Sequence, residues 1–408
     1  MGGLSRPAVR LALLIGAVAL AACGDRGSSE QPYAREVNDA IPRIERATGL
    51  RFKQPPVVEA RSKDSVRAFL ERRFREEFSG DEAAGATAVY TMLGLIPDTL
   101  DLEAFLIELL TEQVVGYYDP STEVLYVVEG APREQVSAIV LHELVHALQD
   151  QYINLDSIQR MEGSTDRQRA AQAVFEGQAT LETVKALLGA DLASRLPGGW
   201  DRIRQAIRDN SGLMPVFSTA PLILQETLIF PYLSGAEFMR TFEQRRPGTS
   251  PFEGMPVSSE QIMHPEAYFA DRRDEPTTVV LPAPRTGAAF YHDNLGEFEI
   301  RLLLFQHLGD QNRAVRAAAG WDGDQYTVVR TPRGEGMAWL TIWDSPVDAG
   351  EFLEALRETL PKLPDRSRSR AVTPVEVSGR PSVLFVDMPA GSSTDVIDVS
   401  RVELKEEG

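Results

Sequence analysis

Apolar residues recur at three- and four-residue spacing along most of the chain, with short apolar runs between polar turns where that spacing lapses. Val37, Ile41, Ile44 and Leu50 predict one amphipathic helix, and Ser62 is placed to cap a second that carries Val66, Phe69, Leu70, Phe74 and Phe78. Residues 101–112 read as a further helix, and residues 114–118 and 124–128 as two strands around the turn Asp119-Pro120-Ser121-Thr122. Directly after this hairpin, Val136, Ile139, Val140, Leu144 and Leu148 form a helical stripe, with Pro132 suited to its first turn. Thr165 and Gln168 make a capping-box pair for a long helix ending near Gly189, and residues 198–242 stay mostly helical, interrupted at Pro231. Residues 245–284, rich in proline and charge, are expected to lie over the surface as a long loop. Beyond Gly296 helices (298–308, 312–319, 347–360) alternate with strands (325–330, 337–343, 372–377, 382–386). The expected fold class is α+β, a mainly helical core with a small β-hairpin or sheet beside one central helix, plus a C-terminal α+β unit. Its regions are 33–112, 113–295 and 296–408.

The N-terminus has a different pattern. Arg6 and Arg10 precede the apolar run 11–22, which is too short to span a bilayer and suits a secretory segment that is removed. It ends in Leu20-Ala21-Ala22-Cys23, which resembles a bacterial lipobox, and Cys23 is the single cysteine of the chain. A lone thiol in an exported protein has no disulfide partner, so acylation of Cys23 is expected, with residues 24–32 as a polar tether to the membrane. Loss of residues 1–22, whose charges are those two arginines, takes the formal net charge from −18 to −20. That charge argues against nucleic-acid partners, and 43% hydrophobic with 25% charged residues is ordinary for a globular protein.

Chemistry enters at His142-Glu143-Leu144-Val145-His146. On a helix this H-E-x-x-H spacing stacks two imidazoles one turn apart, with a carboxylate about 100° round from the first. Two histidines at that spacing are donors for a catalytic zinc, and Glu143 is the natural general base. A third donor is required. His264, His292 and His307 lack the metzincin spacing, since Ala147, Leu148 and Gln149 follow His146, and a carboxylate is expected instead. Glu176 is the best candidate, because it falls in a row with Ala173, Gly177, Thr180, Val184 and Leu187, where a buried carboxylate needs a partner. A buried ion pair with an arginine is the alternative for Glu176, and Asp150 and His264 are the other candidate ligands. Gly177 permits close helix approach. Thr180 is placed to accept a hydrogen bond from a ligand histidine, and Asp150 competes for that supporting role, an ordinary surface role standing beside both. His264, Tyr268 or Tyr232 is expected to donate to a developing oxyanion, with plain packing as the alternative for each. The hairpin can pair with an extended peptide, Gly116 allowing close approach, or serve as simple core sheet. Gly320-Trp321-Asp322-Gly323-Asp324 has too few spaced oxygen donors for calcium and reads as a turn before a strand.

The strand, the helix with His142-Glu143-Leu144-Val145-His146-Ala147-Leu148-Gln149-Asp150-Gln151 and the following Phe175-Glu176-Gly177-Gln178-Ala179-Thr180 together resemble the gluzincin metallopeptidases. More narrowly they resemble an uncharacterised group of exported bacterial lipoprotein metallopeptidases. The resemblance covers roughly 113–188 and implies zinc held by His142, His146 and Glu176, with Glu143 as base. It departs from the best-known pattern in that Thr180 stands where N-E-x-x-[SA]-D has its aspartate. The expected function is a membrane-anchored zinc peptidase of the bacterial cell envelope acting on a peptide or protein. The alternatives are a non-catalytic metal-containing envelope lipoprotein and a zinc amidase acting on cell-wall peptides.

Overall fold

The structure, a computed structural model, describes residues 33–77, 80–131, 133–155, 164–189 and 214–405. The leader with Cys23, the tether, Phe78, Pro132 and the expected helical stretch 198–213 lie outside the described residues. The fold is α+β. Helix α1 (Ala34–Thr48) leads to strand β1 (Val57–Arg61), then to α2 (Lys63–Glu77), α3 (Gly80–Met92) and α4 (Leu102–Gln113). Ser62 receives the Ser65 amide at 3.2 Å, as its capping position predicts. The hairpin forms as β2 (Gly116–Asp119) and β3 (Val124–Val128), with Tyr117 opposite Tyr126. β1 was not anticipated. It joins β3 in parallel, giving the order β1-β3-β2, but it is short and half-exposed, so its apolar signal is weak.

Helix α5 (Arg133–Asp150) packs on this sheet, flanked by α1 and by α6 (Thr165–Leu188). The apolar stripe predicts one covered face, yet every residue from 138 to 149 is buried. Val140, Leu141, Leu144, Val145 and Leu148 join Val37, Ile44, Leu125 and Val127 in one core. A helix covered on all sides carries its polar residues into the interior with it, and each of them needs a partner there. Helix α6 starts at a Ser164 cap, one residue before the expected box, because Thr165 bonds Asp293 instead. After α7 (Pro215–Thr219), helix α8 (Leu222–Arg245) lies against α6. A Cβ on Gly177 would sit 2.2 Å from the carbonyl carbon of Gly235, so the two backbones meet with no room for a side chain.

The expected surface loop 245–284 is in fact a partly buried strap. It contains α9 (Ser259–Met263), α10 (Pro265–Phe269) and β4 (Thr278–Val280), with Ser258, Ser259 and Gln261 fully covered. Its polar residues act as caps and clamps: Ser258 Oγ takes the Gln261 amide, Asp166 takes the Ser259 amide, and Ser259 Oγ takes the Phe298 amide. Beyond it run β5 (Ala288–Asp293), α11 (Gly296–Leu308), α12 (Gln311–Ala318), β6 (Trp321–Thr331), β7 (Gly334–Trp343), α13 (Pro346–Thr359), β8 (Ser369–Val377), β9 (Arg380–Met388) and β10 (Glu403–Lys405). The antiparallel sheet β5-β6-β7-β9-β8 takes its first strand from before Gly296. Asp322 and Asp324 lie inside β6 rather than in a turn ahead of it. The buried Asp324 carboxylate receives Trp321 Nε1, Trp339 Nε1 and the amides of Leu295 and Gly296. Among the described residues no helix is long and apolar enough to cross a membrane.

Candidate metal centre

The Gly177–Gly235 contact seats α6 against α8, and α5 packs on the same helix, so Glu176 comes to face the H-E-x-x-H turn. His142 Nε2 lies 3.1 Å from Glu176 Oε2, His146 Nε2 lies 3.2 Å from the same oxygen, and the two Nε2 atoms are 3.2 Å apart. All three residues are buried. The buried arginine of α6, Arg169, pairs with Glu299 and not with Glu176. Burial pulls the His142 imidazole down from its usual pKa. Burial pulls His146 down as well, but the Glu176 carboxylate outweighs it and the imidazole ends at about 9. For Glu176 itself burial acts upward, while His146 and the two imidazole hydrogen bonds bring it to about 2.

The fit of a metal to these donors follows from Gln149. Its Nε2 reaches the Phe175 carbonyl at 3.2 Å and Gln178 Oε1 at 2.7 Å, and a backbone carbonyl only accepts, which fixes the amide's orientation. Its Oε1 therefore faces His146 Nδ1 at 2.9 Å and makes that nitrogen the donor. In the neutral ring, His146 Nε2 then presents a lone pair toward His142 and Glu176. Tetrahedral zinc with bonds of about 2.0–2.2 Å needs donors roughly 3.3–3.5 Å apart, within a few tenths of an ångström of the triangle observed. Two imidazoles and one carboxylate are also a zinc donor set that leaves a fourth position for water. The residues present fit that ion.

Glu143 stands beside the triangle without joining it. Its Oε2 accepts the Tyr118 amide of β2 at 2.9 Å, so the hairpin holds the carboxylate in place. Burial raises Glu143, the His146 imidazole lowers it and Glu176 raises it again, to about 8. A cation at the triangle would draw it down. β2 is at the sheet edge, but all four of its residues are buried and the Tyr118 amide is already used. A Cβ on Gly116 would meet Ile139 Cγ2 at 2.7 Å, so that glycine lets α5 pack close rather than admitting a peptide.

The other expected residues fall elsewhere. His264 caps the end of α9 and holds Glu297 of α11 at 2.9 Å, placing it on the strap and outside the triangle. Tyr268 donates to the Gly254 carbonyl within a cluster of Phe238, Phe242 and Phe269. Tyr232 on α8 is the one of the three whose ring lies against the site, 5.8 Å from that of His142. Asp150 accepts the Tyr118 hydroxyl at 2.8 Å and the Leu155 amide at 2.9 Å, tying the hairpin to the helix end rather than supporting His146. Thr180 Oγ1 is buried and has no hydrogen-bond partner among the described residues, because Gln149 already takes the outer nitrogen of His146. Gln149 and Tyr118 were missed. For Gln149 the available signal is its position three residues after His146, on the same side of the helix.

The family comparison reaches the C-terminal part. Residues 278–401 match a family described as a domain of unknown function (DUF8575). No curated protein matches the chain. A crystal structure from Chloroflexus aurantiacus, provisionally described as a hydrolase with a novel fold, aligns with 58% of this chain and 87% of its own. The alignment has 19% identity and a TM-score of 0.33, a level that does not establish a common fold.

Proposed function

We propose that this protein is a zinc-dependent hydrolase of peptide bonds, exported and held at a membrane through lipid-modified Cys23. The observation that carries the proposal is the convergence of His142 Nε2, His146 Nε2 and Glu176 Oε2 within 3.1–3.2 Å of one another, beside a separately held carboxylate at Glu143. A bound zinc ion would polarise the scissile carbonyl and lower the pKa of water at the site toward neutrality. Glu143, fixed by the Tyr118 amide, accepts the proton of the attacking water and returns it to the departing amine. His142 and His146 would hold the ion through ring nitrogens, the second oriented by Gln149, and Glu176 through its carboxylate. Tyr232, beside His142, is the hydroxyl we assign to the developing oxyanion. A structural metal site needs no base, so the presence of Glu143 favours catalysis over a purely structural ion.

The test pairs metal analysis with cleavage of a peptide library. Wild type is expected to carry one zinc and to cleave, Glu143→Gln to keep the zinc and lose about 10²- to 10⁴-fold in rate, and Glu176→Ala to lose the zinc. Equal cleavage by wild type and Glu143→Gln would overturn the mechanism. Full zinc retention by Glu176→Ala would overturn the ligand set.

A further inference from the structure

A second group of acidic side chains lies on the strap and the C-terminal sheet. Glu260 belongs to α9, Asp274 to the segment before β4, and Asp344 to the turn between β7 and α13, and one carboxylate oxygen from each lies within 4.8 Å of the others. Their backbones are fixed independently of the carboxylates. The Asp274 amide bonds the Ala267 carbonyl at 3.0 Å, Gln261 Nε2 donates to the Asp274 carbonyl, and the Asp344 amide bonds the Gly320 carbonyl at 2.9 Å. Folding therefore drives three like charges together.

Glu260 is the second, independent observation. It is only 7% exposed, and among the described residues its carboxylate has no hydrogen bond and no ion pair. Behind it the buried Glu297 spends one oxygen on His264, while its Oε2 has no partner. Of the arginines nearby, Arg273 reaches the Met255 carbonyl, Gln261 and Glu275, and Arg380 pairs with Asp322 and acts on Asp344 only through its charge. Burial and the neighbouring Glu297 push the Glu260 carboxyl up to about 10, so in its charged form, facing two more carboxylates, it lacks a cation.

We propose that Glu260, Asp274 and Asp344 form a calcium site that clips the strap to the C-terminal sheet. The donors are oxygens alone, which selects a hard cation over zinc. The three oxygens lie within 4.8 Å of one another, a span that calcium bonds of about 2.3–2.6 Å can bridge, and the flexible calcium shell accepts such an irregular set more readily than the strict octahedron of magnesium. Asp274 and Asp344 are exposed, so water can complete the shell on their side, while Glu260 closes the inner side. Because the Ser259 amide beside Glu260 is held by Asp166 at the start of α6, the ion would also brace the helix that carries Glu176.

The test is calcium titration of the zinc-loaded chain, followed by calorimetry and by the thermal midpoint, with magnesium in parallel. Wild type is expected to bind one calcium with an affinity of about 0.1–1 mM and to melt higher with it. Asp344→Asn, at an exposed position that tolerates the change, is expected to weaken binding about ten-fold and to lose the thermal response, and Glu260→Gln to do the same. No binding by wild type at about 10 mM calcium, unchanged binding in both variants, or an equal response to magnesium would each overturn the proposal.

Discussion

Replacing Gly177 by alanine separates helix propensity from packing. An added Cβ would lie 2.2 Å from the carbonyl carbon of Gly235, 2.4 Å from its oxygen and 2.6 Å from its Cα, all of them backbone. No side chain can swing aside, so α6 and α8 must separate by about 1 Å to reach ordinary contact. The substitution gains about 1 kcal/mol of helix propensity and loses roughly 3 kcal/mol to overpacking, for a net destabilisation near 2 kcal/mol. Gly350, on the exposed face of α13, is the internal control, because a Cβ there would have nothing within 4 Å and alanine should stabilise by about 0.5–1 kcal/mol. Urea unfolding of the two variants should thus differ by roughly 3 kcal/mol with similar m values. Glu176 is the neighbour of Gly177, so the same shift opens the donor triangle, and zinc affinity measured against a chromophoric chelator should fall at least about ten-fold. Gly177→Ala proving as stable as Gly350→Ala, with unaltered zinc affinity, would refute the close-contact argument.

Gln149→Leu removes the acceptor on His146 Nδ1 and should lower zinc affinity by about 10- to 100-fold without unfolding the chain, as chelator competition and circular dichroism would show. His307 donates Nε2 to the Leu93 carbonyl, and burial pulls its pKa below the usual value. A group lowered in the folded state gives stability that is complete above its unfolded pKa of about 6.5 and is lost as the pH falls below it, so His307→Gln should flatten the decline in stability between about pH 6.5 and 5 in urea melts. Cys23→Ser should move the expressed protein from the membrane fraction to the soluble one, and unchanged membrane association would remove the lipid anchor from the reading.

The two elements of the fold most plainly written in the chain are the hairpin and α5, both set by local patterns. The hairpin's strands and turn appear within a residue or two of their expected places. β1 escaped because a five-residue edge strand with Val57 exposed has almost no periodic signal, and its parallel pairing with β3 is a long-range property. The strap escaped for a different reason. Serine, proline and charge are what loops contain, but Ser258 and Ser259 are polar because they cap helix ends inside the protein. Composition cannot tell a polar group that faces water from one that satisfies a buried amide.

The site divides along the same line. His142, Glu143 and His146 are fixed by helical spacing within five residues, and Glu176 could be picked out because a carboxylate on an apolar stripe is costly unless something binds it. Thr180 satisfied the same spacing and yet makes no hydrogen bond to either histidine, because proximity on a helix does not say which side of a ligand remains open. Gln149 takes that side, and what makes it effective is the Phe175 carbonyl and Gln178 on the other helix, neither of which is visible from α5 alone. His264 sits elsewhere, at the end of α9 on the strap. A histidine on a polar loop suggests a mobile catalytic group, whereas Glu297 of α11 holds this one in place. The same tertiary contact leaves Glu297 Oε2 without a partner close to Glu260, so the interactions that exclude His264 from one metal centre help to define the acidic surroundings of the other.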